Sequence, residues 1–140
     1  MPRGSTRVLT SSGESVAVER SVRAAPAGSS YGIVREYVGH GIGTSMHMDP
    51  NVPNYHVPGR TLELVAGMAL AIEPMVCAGG AAVRTLDDDW TVVTADGRRA
   101  SHWEHTVALT PEGPWVLTAL DGGAARLAEL GIPTPASVRG

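Results

Sequence analysis

The chain has 140 residues, enough for one domain or part of one. Its formal net charge is −3 and none of its 11 basic residues is lysine, so it lacks the basic stripe that is typical of nucleic-acid-binding proteins. No apolar run approaches the about 20 residues of a membrane span, no signal peptide is recognisable, and the lone Cys77 excludes an internal disulfide framework. These features predict a cytoplasmic protein with neither nucleic acid nor membrane as a partner.

The first part of the chain carries little apolar content. Residues 1–13 are rich in Ser, Thr, Gly and Arg and are predicted to be disordered. Helical spacing of apolar residues predicts a short helix over 14–25. From residue 31 the composition changes, and β-branched and aromatic residues predict a strand over 31–38.

A glycine-rich turn follows this strand. Gly39, Gly41 and Gly43 surround His40 at the expected strand end, and let the backbone turn or approach another group closely. The stretch 48–60 contains three prolines and is predicted to be a long loop on the surface or along a cleft. Residues 65–67 then form a predicted turn.

The next stretch alternates as a strand does. Over 68–73, Met68, Leu70 and Ile72 share one face, Glu73 shares the other with two alanines, and Pro74 ends the regular pairing.

Further strands are predicted over 82–86, 90–94, 101–109 and 115–119, with a tight turn at 96–97. Asp121 is a predicted N-cap for a helix over 122–130. The predicted class is α+β, mostly antiparallel sheet with flanking helices.

Three residues stand out as metal ligands. The ring of His40 is accessible between two glycines, and imidazole is a common ligand of transition metals; the alternative is a surface histidine in a flexible loop. Glu73 lies in an apolar run, where a carboxylate must be paired or bound to a cation; the alternative is an ion pair, for example with Arg84. Glu104 can bridge two cations, or it is a paired structural glutamate.

Two further histidines have weaker indications. His47 follows His40 by seven residues and can donate to a substrate carbonyl or orient a water, although a structural role fits it as well. Strand alternation places His102 on the same face as Glu104, where it can act as a partner of a metal ligand.

Taken together, these stretches resemble the C-terminal half of type I methionine aminopeptidases. The matching stretches are V-R-E-Y at 34–37, G-H-G-I-G at 39–43, His47, Pro50, P-G at 58–59, G-M at 67–68, I-E-P-M at 72–75, R-T at 84–85, D-W-T-V at 89–92 and E-H-T at 104–106. The resemblance covers about residues 31–120 and implies half of a pita-bread fold, with residues 1–30 poorly matched and 121–140 forming a short helix and a flexible tail.

The resemblance also implies roles for individual residues. His40 binds one metal, Glu73 binds the same metal and moves a proton, and Glu104 bridges two metals. His47 contacts the scissile peptide, and Trp90 lines the pocket for the methionine side chain. Met46 stands beside His47 where many relatives have Phe, and it is expected to bind substrate together with His47 and Trp90. The implied cofactors are divalent cobalt, manganese, iron or zinc ions, two per site in the family, and the implied substrate is the N-terminal methionine of peptides or nascent proteins.

One departure from the family bears on activity. The family has two further aspartate ligands in its N-terminal half, and this sequence has no Asp before Asp49. We therefore expect at most one bound ion, a fragment with impaired activity, and self-association through an exposed half-interface. Two alternative functions are a non-catalytic remnant that binds a peptide or protein, and a proline-specific aminopeptidase of the same superfamily.

Overall fold

The computed structural model describes residues 31–55, 57 and 62–136. In this part of the chain there are ten strands and one helix: β1 (Gly32–Ile33), β2 (Gly39–Gly41), β3 (Met48–Val52), β4 (Ala69–Ile72), β5 (Met75–Cys77), β6 (Val83–Thr85), β7 (Val92–Thr94), β8 (Ala100–His102), β9 (His105–Thr110), β10 (Gly113–Val116) and α1 (Ala124–Glu129). None of the helical segments described is long and apolar enough to cross a membrane. The disorder predicted for 1–13 and the helix predicted for 14–25 lie outside the described residues.

The strands form three antiparallel sheets. The largest sheet has the order β10-β9-β4-β2-β3, a second has the order β1-β5-β8, and β6 pairs with β7 as a separate hairpin. The predicted antiparallel α+β architecture is confirmed. The hairpin of β6 and β7 also agrees with the two short strands predicted around an acidic turn.

The core lies against β4, in the middle of the largest sheet. Leu70 is 3% exposed and packs in a cluster with Val52 and Leu64, with Met68, Ile72 and Leu109 partly buried against it. Every second residue of the 68–72 stretch therefore points into this cluster, which confirms the predicted alternation. The turn before β4 is also confirmed, because the Met68 N–H donates to the Val65 carbonyl and Gly67 has a φ of +97°.

Two predictions before β4 are wrong. The strand predicted over 31–38 is reduced to β1, because pairing with β5 continues only as far as the bond from the Val34 N–H to the Met75 carbonyl. Part of the loop predicted over 48–60 is instead strand β3. Pro50 is tolerated there because β3 is an edge strand that pairs only with β2.

The glycine motif around His40 is predicted to lie at the end of a strand, and this prediction is wrong. Residues Gly39–Gly41 form a strand of their own, β2. β2 lies between β3 and β4, and His40 is opposite Asn51 on one side and Ala71 on the other. The close approach expected of the glycines is confirmed. A Cβ at Gly39 would collide with the Ala71 carbonyl oxygen, and one at Gly41 would collide with the Asp49 carbonyl.

The single strand predicted over 101–109 is wrong, because it is divided between two sheets. β8 belongs to the three-stranded sheet, and β9 belongs to the five-stranded sheet. The neighbouring segment changes sheet at the same level, between β4 and β5. Glu73, Pro74, Trp103 and Glu104 form this double crossing, which we call the seam, and the Trp103 N–H donates to the Pro74 carbonyl across it at 3.1 Å.

The C-terminal elements are displaced slightly from their predicted places. The last strand is β10 and not 115–119, because the β9–β10 hairpin pairs Gly113 with Thr110 directly. The helix is confirmed in position but is shorter than predicted, with Gly123 at its N-cap. Asp121 still serves this end, since its carboxylate accepts the N–H groups of Ala125 and Gly123; these hydrogen bonds lower the pKa of Asp121.

Candidate metal centre

The sheet pairing brings four chemically relevant side chains to the seam. Glu73 follows the last residue of β4, and His40 lies on the adjacent strand β2. His102 ends β8, opposite Met75 of β5, and Glu104 immediately precedes β9. Residues that are far apart in the sequence are therefore held in hydrogen-bonded strands, or directly next to them, around one point.

Glu73 is the central residue of this group. Its Oε1 lies 3.3 Å from Nε2 of His40, and its Oε2 lies 3.3 Å from Nε2 of His102. The Glu73 and His40 side chains are only 13% and 12% exposed, whereas His102 is 48% exposed. A nearly buried carboxylate needs a compensating positive charge, and here both its oxygens face imidazoles and not Arg84, the alternative partner considered above.

The hydrogen bonding of His40 indicates which of its ring nitrogens faces Glu73 as an acceptor. Its Nδ1 lies 2.8 Å from the Gly41 carbonyl oxygen, which can only accept, so Nδ1 carries a proton. In the neutral ring, Nε2 then presents a lone pair towards Glu73 Oε1, which is also an acceptor. The contact becomes favourable only when a proton or a metal ion lies between the two atoms.

The residues present fit a divalent transition-metal ion. Ligand atoms of Glu73, His102 and Glu104 all lie within 4.8 Å of one another, and this is the one such group of three among the described residues. His40 lies outside that group but contacts Glu73 directly. Imidazole nitrogens mixed with carboxylate oxygens are typical ligands of zinc, iron, cobalt and manganese.

The structure places His47 beside His40. Their ring centroids are 4.4 Å apart in an edge-to-face arrangement. Both rings line an open recess of about 630 Å³, whose other lining residues are Val38, Met48, Asp49 and Asn51. A peptide entering this recess would therefore meet His47 next to the candidate metal ligands.

Two of the residues expected to bind substrate, Met46 and Trp90, are not enclosed. Met46 is 69% exposed, and Trp90 is 87% exposed on the connection between β6 and β7. The backbone at Trp90 is held by Asp88, whose carboxylate accepts hydrogen bonds from the N–H groups of Trp90 and Thr91. The described residues thus supply no closed pocket around either side chain, and their substrate-binding roles stay predictions.

Two contributors to the site were missed or undervalued by sequence reasoning. Asn54 is 3% exposed, and its Nδ2 donates to the main-chain carbonyl of Glu73 at 3.3 Å, which helps to fix that segment. Its position in a proline-rich stretch gave no signal of this contact. The sequence indicates His102 only as a partner of a metal ligand. In the structure its Nε2 lies 3.3 Å from a Glu73 carboxylate oxygen, the same distance as Nε2 of His40.

Cys77 takes no part in the site. It is fully buried on β5, and burial, followed by the negative charges of Asp96 and Glu36, raises the pKa of its thiol. A neutral buried thiol is a poor nucleophile. The residues next to Cys77 in the sequence also include no base that could activate it.

Comparison with known proteins gives consistent matches. The family model described as metallopeptidase family M24 matches residues 13–111. A methionine aminopeptidase of Clostridium perfringens is 58% identical over 90 residues, which are 64% of this chain and 36% of that protein. Methionine aminopeptidase 1 of Mycobacterium tuberculosis is 58% identical over 104 residues, or 73% of this chain and 39% of that protein.

Solved structures agree with this result. The methionine aminopeptidase from Thermotoga maritima matches with a TM-score of 0.70 and 40% identity, over 79% of this chain and 43% of that chain. The enzyme from Rickettsia prowazekii matches with a TM-score of 0.69 and 32% identity, over the same shares of both chains. The expected fold is therefore confirmed, and the chain spans less than half the length of these relatives.

Proposed function

Because this chain belongs to metallopeptidase family M24, we propose that its seam carries the C-terminal part of a metal centre that removes N-terminal methionine from peptides and nascent proteins. The observation that supports this most directly is the Glu73 carboxylate between two imidazoles, each 3.3 Å away. The high identity to methionine aminopeptidases favours methionine over other N-terminal residues. A cytoplasmic location follows from such a substrate.

In this proposal His40, Glu73 and Glu104 hold the cation. Cobalt, manganese, iron or zinc all suit this combination of nitrogen and oxygen ligands. When bound, a divalent ion supplies Lewis-acid chemistry, since it polarises the scissile carbonyl and makes water more acidic.

The chain's own groups then manage the proton and the substrate. Glu73 is proposed to accept a proton from the attacking water and to pass it to the leaving amine. His47 lies beside His40 in the recess, and this position supports the proposal that it donates a hydrogen bond to the scissile carbonyl oxygen. Met46 and Trp90 are proposed to contact the methionine side chain.

The activity test compares wild-type protein with Glu104→Gln. We expect slow release of methionine from Met-Ala-Ser with added Co²⁺ or Mn²⁺, because no aspartate precedes Asp49 to complete a two-metal centre. Glutamine keeps the size of the side chain but removes a charged ligand, so turnover should fall by at least about a hundredfold.

Glu112→Gln is the matched control, because Glu112 lies in the β9–β10 turn and contacts Thr110 at the far end of β9. It should keep wild-type turnover. Equal turnover of wild-type protein and Glu104→Gln would refute the proposed role of Glu104. Preference for Ala-Pro over Met-Ala substrates would favour the proline-specific alternative, and an absence of both turnover and metal binding would favour the non-catalytic one.

Self-association is a second proposal about this chain. Trp103, in the seam, is a large apolar side chain that is 67% exposed, and an exposed side chain of this size gains free energy when it is buried against another protein surface. We expect sedimentation velocity to show a dimer at micromolar concentration. A compact monomer over the whole concentration range would contradict the proposal.

A further inference from the structure

The proposed function leaves His102 without a role, although it contacts the central carboxylate. We propose that His102 is an additional protein ligand of the metal centre, binding a divalent cation through Nε2 together with Glu73 and Glu104. This inference rests on the proposed metal centre. It adds a nitrogen ligand that the family resemblance did not indicate.

The distances around Glu73 suit a shared cation. Two ligand atoms that each lie about 2.1 Å from one ion are separated by about 3 to 4 Å. Nε2 of His102 lies 3.3 Å from Glu73 Oε2, and Glu104 completes a group of ligand atoms within 4.8 Å. Small side-chain adjustments would therefore bring all three residues to one cation.

The contact between His102 and Glu73 is longer than a strong hydrogen bond. A charge-assisted hydrogen bond between a nitrogen and a carboxylate oxygen is typically about 2.7–2.9 Å long, and this contact is longer. His40, which the resemblance identifies as a ligand, has the same separation from the other oxygen. The two histidines are thus placed alike around Glu73, and a ligand role for one suggests it for the other.

The backbone holds His102 in a fixed position. It ends β8, in register with Met75 of β5, and the next residue, Trp103, donates its N–H to Pro74 across the seam. The position of His102 relative to Glu73 is therefore fixed by sheet hydrogen bonds and not by a free loop. Its side chain is half exposed, so Nε2 remains accessible to an incoming ion.

The competing role is that His102 only orients Glu73 by a hydrogen bond. Loss of such a supporting contact also weakens metal binding, by about 10- to 100-fold, so affinity alone does not separate the two roles. The number of imidazole rings that coordinate the metal does separate them.

The test uses the full chain, Co²⁺ as the probe, and the variants His102→Gln and His105→Gln. Glutamine can still donate a hydrogen bond to Glu73 but is a poor transition-metal ligand. His105 is the matched control, because its Nδ1 contacts Thr118 Oγ1 at 2.7 Å and not the seam carboxylates. Calorimetry gives the Kd for Co²⁺, and proton NMR detects the ring protons of each coordinated imidazole through their large paramagnetic shifts.

We expect His102→Gln to weaken Co²⁺ binding by at least about tenfold and to remove the shifted signals of one ring. His105→Gln should change the Kd less than about twofold, as a histidine outside the centre would, and remove none. If His102→Gln keeps every shifted ring, His102 is not a ligand and the inference is overturned.

A third variant, His40→Gln, separates failure of this inference from failure of the proposed function. If it removes one shifted ring while His102→Gln removes none, the proposed centre stands without His102. If wild-type protein does not bind Co²⁺ at all, both the centre and this inference are overturned.

Discussion

Replacing Glu73 with glutamine is expected to weaken Co²⁺ binding by at least about a hundredfold, which corresponds to about 2.7 kcal/mol. Among the residues that the structure describes, Glu73 is the one whose two carboxylate oxygens each face an imidazole nitrogen. The amide of glutamine carries no charge and turns an N–H group towards one of the two rings. Both rings then lose their anionic neighbour, so the centre loses more than one pairwise contact. Calorimetric titration of the metal-free protein measures the change.

A suitable control for this variant is Glu129→Gln. Glu129 pairs with Arg126 on the exposed surface of α1 and takes no part in the seam. It should leave the Kd for Co²⁺ within about twofold of wild type, because surface ion pairs contribute little. An unchanged Kd in Glu73→Gln would show that Co²⁺ binds elsewhere, and would refute the central role given to this carboxylate.

Gly39→Ala is expected to destabilise the fold by about 3 kcal/mol. The added methyl group would collide with the Ala71 carbonyl oxygen and crowd the Val52 side chain at 3.2 Å. Both neighbours belong to strands that pair with β2, so relief of the collision requires separation of the sheet next to His40. The free energy of unfolding in urea measures the loss.

The matched control here is Gly43→Ala, four residues further along the same motif. A Cβ at Gly43 would meet only the Met48 sulfur, at 3.4 Å, which is ordinary contact at the end of a flexible side chain. Its effect should stay within about 0.5 kcal/mol. Equal stability of the two variants would mean that β2 is not packed between β3 and β4 as described.

The parts of the fold that the sequence predicted well are those with strong local patterns. β4 was recognisable because alternating apolar residues meet one core, and the β6–β7 hairpin was recognisable from two short strands around an acidic turn. β2 was not recognisable as a strand, because glycine has low strand propensity. Its place in the sheet depends on close contact with β3 and β4, which no local pattern reveals.

The same limit applies to the seam. The alternation of polar and apolar residues runs without interruption through Trp103 and Glu104, so nothing local indicates that the chain changes sheet there. The change of sheet between β8 and β9 depends on the matching change of sheet after Glu73, between β4 and β5. For this reason His102 could be grouped with Glu104 from the sequence, but its contact with Glu73 required the register between β5 and β8.

The candidate site itself was predicted in part. His40 and Glu73 are brought together as expected, and Glu104 lies in the compact group with Glu73. Their individual roles as metal ligands, like that of His47 with substrate, stay predictions. The resemblance identified them through motifs, whereas the two sheets determine which of them meet.

The seam also links metal binding to folding itself. Its side chains come from segments that are distant in the sequence and that meet only after the strands of two sheets have paired. An unfolded chain offers no assembled set of ligands, so a cation would bind the folded form selectively. At a concentration 100 times its Kd, such a ligand stabilises the folded state by about 2.7 kcal/mol. A larger supply of metal ions would then raise the proportion of chains that are folded.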